Sequence, residues 1–122
     1  MSLTQIHGSL ANTTLYYFLI LAVWGLWRFA RKQGLDSSFW GALVISEVLV
    51  VLQGVLGVIL LLNGEQPGRG WVHILYGVVS LLTLPGIFAF TRGAQERQVM
   101  LIYGVGLLFL VGITLRAAGT GV

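Results

Sequence analysis

The stretch SFWGALVISEVLVVLQGVLGVILLL (residues 38–62) contains a single ionisable side chain, Glu47. A helix needs roughly 20 predominantly apolar residues to cross the hydrocarbon of a bilayer. This stretch is therefore predicted to be a transmembrane helix. The same criterion, applied outward along the chain, predicts three further spans, near residues 8–30, 71–91 and 98–118.

The composition also indicates a membrane protein. Of the 122 residues, 57% are hydrophobic and 9% are charged, whereas soluble domains average about 25% charged residues. The connections between the spans, 32–37, 63–70 and 92–97, are short, polar and contain glycine, so consecutive helices should be antiparallel neighbours. We therefore predict an all-α integral membrane protein: a four-transmembrane-helix up-down bundle that forms one membrane domain over residues 1–122.

The chain has no cysteine, which excludes disulfides, thiolate metal sites and covalent attachment of a c-type heme. The net charge of +3 comes from few side chains near the helix ends. Such a distribution suits membrane topology better than nucleic-acid binding. We expect the partners to be the lipid bilayer and a larger membrane protein complex, with no nucleic acid.

Lysine and arginine flank the first and third connections, as Arg28, Arg31, Lys32, Arg92 and Arg97. The positive-inside rule predicts that these connections lie on the cytoplasmic side, with both termini on the outer side. No basic region precedes the first apolar run, which predicts an uncleaved first helix. This arrangement is typical of a bacterial inner membrane protein.

The two histidines, His7 and His73, begin the first and third spans. Both spans run from the outer to the inner side, so both imidazoles should lie at the same depth, about one turn inside the outer surface. Helices 1 and 3 are diagonal partners in an up-down bundle, and cofactor sites are built from side chains on facing helices. The pair could therefore hold one metal ion between its rings.

Glycine could provide room for a planar cofactor between the helices, because it lets a macrocycle or another backbone approach closely. The candidates are Gly54 and Gly57 on helix 2, Gly77 one turn after His73, and Gly112 on helix 4. Arg69 in the outer connection and Arg116 at the outer end of helix 4 could pair with carboxylates such as heme propionates.

Each of these residues also has a purely structural interpretation. A histidine in the first turn of a transmembrane helix can simply face interfacial water, and small residues mediate helix contact in membranes with or without a cofactor. Arg116 could be an end residue that extends to the interface. Glu47, near the midplane, could contact protons or a quinone, although a neutral carboxyl hydrogen-bonded to a neighbouring helix or subunit is favoured.

Four segments from His7 to Leu84 resemble one half of the heme A synthase family, an eight-helix fold made of two four-helix bundles. They are IHGSLA (6–11), WGLWRFARK (24–32), LQGVLG (52–57) and VHILYGVVSLL (72–82). The resemblance covers about two thirds of the chain. It implies that His7 and His73 are the axial ligands of one b-type heme, with no open coordination position, which suits electron transfer more than oxygen chemistry.

The chain also departs from that family. The catalytic half of those synthases carries a glutamate shortly before its histidine, whereas here Leu3, Thr4, Gln5 and Ile6 precede His7. The outer-loop cysteine pair of many bacterial members is missing, and one bundle is present instead of two. Heme A synthesis is therefore not expected. We expect instead a heme-binding bundle without the hydroxylase chemistry.

We thus expect a membrane b-type cytochrome with one heme b near the outer face, acting as an electron-transfer or heme-bearing subunit of a respiratory or photosynthetic complex. No nucleophile elbow, phosphate loop, HExxH pattern or pair of catalytic carboxylates occurs, so catalysis by the chain alone is not expected. Two alternatives stay open: a cofactor-free accessory subunit of an energy-converting complex, and a heme carrier with exchangeable heme.

Overall fold

The computed structural model, which describes residues 2–64 and 70–120, consists of four helices. They are α1 (Leu3–Ala30), α2 (Ser37–Leu62), α3 (Trp71–Thr91) and α4 (Arg97–Thr120). Each helix is long and apolar enough to cross a membrane. The four spans predicted from hydropathy are all present as helices.

The first helix begins five residues earlier than predicted, and its cap explains why. The Ser2 hydroxyl accepts a hydrogen bond from the Gln5 amide at 3.1 Å, and the Gln5 side chain accepts one from the Ser2 amide at 3.0 Å. This reciprocal pair is a capping box, which satisfies two amides that have no partner within the helix. Polar residues therefore extend α1 beyond the apolar run by which it was identified.

Each helix packs against two neighbours, in the order α1, α2, α3, α4 and back to α1. The contact between α1 and α4 is the most extensive, and that between α2 and α3 is the least. Within the described residues, α1 does not approach α3 closely, and α2 does not approach α4. The two histidine-bearing helices therefore occupy one diagonal of the bundle, as predicted.

The first and third connections meet at one end of the bundle, which we call the basic end. The Leu35 amide donates to the Gln95 carbonyl at 2.9 Å, joining the two connections. The Arg97 guanidinium donates to the Phe29 carbonyl at 2.9 Å and stacks over the Phe29 ring at 4.2 Å. The basic side chains predicted to share one side of the membrane thus come from connections that share one end of the bundle.

Burial is distributed unevenly along the bundle axis. The buried residues of α1 begin at Thr14 and those of α2 end at Val50. Leu84 is the buried residue of α3, and burial in α4 extends from Val99 to Leu110. The half of the bundle toward the basic end therefore has a close-packed core. No described residue is fully buried in the remaining part of the bundle, which consists of residues 3–13, 51–62, 71–83 and 111–119; we call this part the histidine half.

A close contact between helices lies where α1 crosses α4. A Cβ atom built on Gly25 would lie 3.6 Å from the Gly104 Cα, and one built on Gly104 would lie 2.7 Å from the Leu26 Cδ2 and 2.9 Å from its Cγ. Small residues allow such close approach of helices in membranes, where van der Waals contact replaces the hydrophobic effect as the driving force.

Gly104→Val should destabilise the bundle by about 1–3 kcal/mol, because the added methyl groups overlap Leu26. Gly112→Val is the matched control on the same helix, since no heavy atom lies within 4 Å of the Cβ position at Gly112. The free energy of unfolding in detergent, measured by SDS titration, tests the difference. Equal stability of the two variants would contradict this account of the α1–α4 contact.

Asp36 stabilises the basic end in two ways. Its carboxylate accepts a hydrogen bond from the Phe39 amide at 2.8 Å and so caps α2. It also forms an ion pair with Arg28 at 3.3 Å, and Arg28 in turn donates to the Gly34 carbonyl at 2.6 Å. The connection between α1 and α2 is thus held by one acidic and one basic side chain.

Asp36→Ala should lower the free energy of unfolding by about 1 kcal/mol, chiefly through loss of the helix cap. Asp36→Asn keeps a capping oxygen and loses only the ion pair, which is weak at a half-exposed carboxylate. It should therefore retain most of the stability in the same SDS titration. An equal loss for asparagine and alanine would show that the ion pair, which both variants lack, outweighs the cap.

Candidate functional site

His7 lies in the second turn of α1 and His73 in the first turn of α3, at the end of the bundle opposite to the basic end. Their ring centroids are 6.3 Å apart, and the ring planes are inclined by 66°. Both side chains are half-buried. The two rings therefore meet across the α1–α3 diagonal, as their predicted common depth requires.

The His73 ring is oriented by α4. Its Nδ1 lies 2.8 Å from the Ala117 carbonyl oxygen. Because a carbonyl oxygen can only accept, Nδ1 must carry the proton, and in the neutral ring the lone pair is then on Nε2. Metal-binding histidines are commonly oriented by this type of bond from the nitrogen that does not bind the metal.

The His7 ring lies beside α2. A Cβ built on Gly57 would be 3.6 Å from the His7 Cε1, an ordinary contact distance, so the ring lies directly against Gly57. One turn earlier in α2, the Gln53 side-chain nitrogen donates to the His7 carbonyl at 2.9 Å. The His7 Nδ1 and the Gln53 Oε1 are both buried and have no hydrogen-bond partner among the described residues.

Gln53 lies in the LQGVLG segment that resembles the heme A synthase family, but the sequence analysis did not choose it as a site residue. The face of α2 that meets α1 carries Gln53 and Gly57. A glutamine within a transmembrane run, four residues before a glycine, was the available signal, since polar groups in hydrocarbon need partners.

The other glycines selected from the sequence lie away from the histidine rings. Gly54, Gly77 and Gly112 are exposed, and no heavy atom lies within 4 Å of a Cβ built on any of them. Arg116 is exposed on α4, next to the residue whose carbonyl binds His73. Arg69 lies outside the described residues.

Glu47 lies near the middle of α2, as predicted, with a half-buried side chain. Its Oε1 is buried and has no hydrogen-bond partner among the described residues. Six residues of α2 separate Glu47 from Gln53, so the two side chains lie at different depths and on different faces of the helix. Glu47 is therefore not part of the histidine pair.

The spacing of the two rings suits a single metal ion. A metal binds an imidazole nitrogen at about 2.0 Å, and that nitrogen lies about 1.2 Å from the ring centre, so two rings across one ion have centres about 6.4 Å apart. The observed separation is 6.3 Å. The inclination of the planes does not oppose this arrangement, because each ring can rotate about its own metal–nitrogen bond.

The donor set suits a metal that brings further ligands of its own. Within residues 2–64 and 70–120, no three or more His, Cys, Asp or Glu side chains come together as a metal site. A heme needs only two axial ligands from the protein.

An apolar groove of about 410 Å³ lies elsewhere, along α3. It contains neither histidine and is lined by Val79, Leu82, Thr83, Gly86, Ile87 and Phe90. It therefore does not contribute to the candidate site.

Comparison of the chain with protein-family models, with curated proteins and with solved structures gives no match. The similarity to half of a heme A synthase therefore stays a prediction. The candidate site stands on the geometry of its own residues.

The tautomer of His73 can be measured directly. We expect the neutral His73 ring to carry its proton on Nδ1, because the Ala117 carbonyl requires a donor there. Nitrogen NMR of protein labelled at histidine should show a protonated Nδ1 and an unprotonated Nε2. The chain has two histidines, so His7→Ala assigns the signals. A ring protonated only on Nε2 would contradict the described hydrogen bond.

Proposed function

We propose that the protein is an integral membrane b-type heme protein in which His7 and His73 are the two axial ligands of one heme b. The observation that carries this proposal is the 6.3 Å separation of the two imidazole centroids across the diagonal of the bundle. That separation is the one expected for two rings on opposite sides of one metal ion. These are also the two histidines of the chain.

The residues around the pair are suited to hold such a group. The hydrogen bond from His73 to Ala117 leaves Nε2 as the ligating nitrogen of that ring. The His7 ring lies directly against Gly57 of α2. Arg116, and Arg69 in the outer connection, would pair with the propionate groups. Of the proposed glycines, Gly57 has the most direct support, while Gly54, Gly77 and Gly112 would serve only where the macrocycle extends beyond the rings.

A heme with two histidine ligands supplies one-electron chemistry when bound, and it has no open position for oxygen. The chain therefore acts, in this proposal, as an electron-transfer or heme-bearing subunit of a respiratory or photosynthetic complex. Large apolar side chains cover its outer surface, including Ile20, Leu62 and Phe90 at 69%, 81% and 81% exposure. These faces suit the bilayer and a larger membrane complex as partners.

The proposal extends to membrane placement. Five of the seven basic residues belong to the basic end, which would lie on the cytoplasmic side of a bacterial inner membrane. The histidine pair and both termini would then be on the outer side. Electrons would enter or leave near that surface.

A reduced-minus-oxidised spectrum of the detergent-purified protein, with heme supplied during expression, tests the proposal. We expect sharp α and Soret bands in the parent protein. His7→Ala and His73→Ala should each lose the sharp α band and show a shifted or diminished Soret band, because removal of one axial ligand leaves five-coordinate or dissociated heme. Asn12→Ala, an exposed position on α1, is the control and should keep both bands.

A folded, helical parent protein without a Soret band would refute heme binding. Bands of unchanged shape and intensity in both histidine variants would refute the ligand assignment. Heme that is removed by apomyoglobin within minutes would instead indicate a carrier, since a permanent cofactor exchanges slowly.

One observation favours a second candidate, a cofactor-free accessory subunit of an energy-converting complex. Among the described residues of α3, Leu84 is the one that is buried within the bundle. The remaining faces of α3 are thus available to a neighbouring subunit. In that case His7→Ala and His73→Ala would leave the cofactor content and the assembly of the complex unchanged.

A further inference from the structure

We infer that Gln53 is a positioning residue for His7: its Oε1 accepts a hydrogen bond from the Nδ1–H of the His7 ring, directly or through one water. This inference rests on the proposed function, because it concerns the iron-binding state of His7. It assigns a role to a residue of α2, which supplies neither of the two ligands.

The orientation of the Gln53 amide is fixed by its own hydrogen bond. Its nitrogen donates to the His7 carbonyl at 2.9 Å. The reversed amide would place two acceptor oxygens against each other, so the nitrogen must face the carbonyl. The Oε1 is thereby left as an acceptor on the α1–α2 interface, at the level of His7.

Gln53 and His7 each have a buried polar atom without a partner among the described residues, and the two atoms are complementary. One accepts a hydrogen bond, and the other can donate one. Gln53 Oε1 and His7 Nδ1 are both buried, and neither has a hydrogen-bond partner among the described residues. A buried polar atom without a partner is costly, above all in hydrocarbon. A small ring rotation or one bridging water would satisfy both atoms together.

The other proposed ligand, His73, already makes a hydrogen bond of this type. His73 Nδ1 donates to the Ala117 carbonyl at 2.8 Å, so in the proposed site Nε2 would be the ligating nitrogen. A ligating histidine nearly always donates its second ring nitrogen in this way, and the bond makes the ligand more basic. With Gln53 as the acceptor, His7 would likewise present Nε2.

Loss of the hydrogen bond from His7 to Gln53 should change the midpoint potential of the heme as well as its binding. A more basic ligand favours the oxidised iron, so loss of the acceptor should raise the midpoint potential of the heme. Gln53→Leu should therefore raise the potential and weaken heme binding by about 10- to 100-fold. Gln53→Glu supplies a charged acceptor, which strengthens the bond, and should lower the potential below that of the parent.

Redox titration of the parent, Gln53→Leu and Gln53→Glu, with Asn12→Leu as the amide-to-leucine control on α1, tests the inference. Shifts in opposite directions for leucine and glutamate support it, because both variants lose the donor to the His7 carbonyl and differ in the acceptor. Shifts in one direction, or none, would reduce Gln53 to a structural link between α1 and α2 and overturn the inference.

Nitrogen NMR of labelled histidine reads the same hydrogen bond without heme. In protein purified without the cofactor, Gln53→Leu should move the His7 Nδ1 signal and leave that of His73 in place. An unmoved His7 signal would overturn the inference. If the parent protein binds no heme but the signal moves, the hydrogen bond stands and the proposed function fails. Helix content by circular dichroism confirms that each variant is folded.

Discussion

The contact between α1 and α4 at Gly25 and Gly104 determines how tightly the whole bundle can pack. In a bilayer the lipid would be as apolar as the helix surfaces, so close van der Waals contact would have to hold these helices together. Around this contact the core residues are fully buried, as Phe18 and Tyr103 illustrate at 1% exposure each. Both connections of the basic end are fixed nearby, through Leu35 and Gln95. The half of the bundle toward the basic end therefore holds the four helices in place where they continue into the histidine half.

The hydrogen bonding of polar side chains also differs between the packed half and the histidine half. In the packed half, the Tyr17 hydroxyl donates to the Ala42 carbonyl at 2.8 Å, and the fully buried Ser46 donates to the same carbonyl at 3.2 Å. The buried side-chain atoms without partners among the described residues belong to Glu47, Gln53 and His7. Two of these three lie together at the histidine end. Such unsatisfied groups are expensive in hydrocarbon, and they mark a site of function more often than a defect of packing.

Hydropathy was sufficient to predict the four helices, because twenty apolar residues in sequence leave little choice of structure in a bilayer. It could not predict which glycine contacts a histidine. A transmembrane helix is apolar on every side, so no periodicity distinguishes the face toward a neighbour from the face toward lipid. Gly54 and Gly57 were therefore equivalent in the sequence, and only Gly57 lies beside His7. The histidine pair was predictable because depth depends on topology alone, and topology can be read from the basic residues.

The two histidines have unequal surroundings, and this inequality bears on how a site at this end would be controlled. His73 is oriented by a backbone carbonyl of α4, which side-chain substitution cannot remove. His7 is held through its own carbonyl by the side chain of Gln53, so its ring depends on the position of α2. α2 and α3 make the least extensive contact in the bundle, so the part of α2 that carries Gln53 is held mainly through α1. In the proposed heme site, one ligand would be oriented by the backbone of α4 and the other through a side chain of α2, the helix that carries neither ligand.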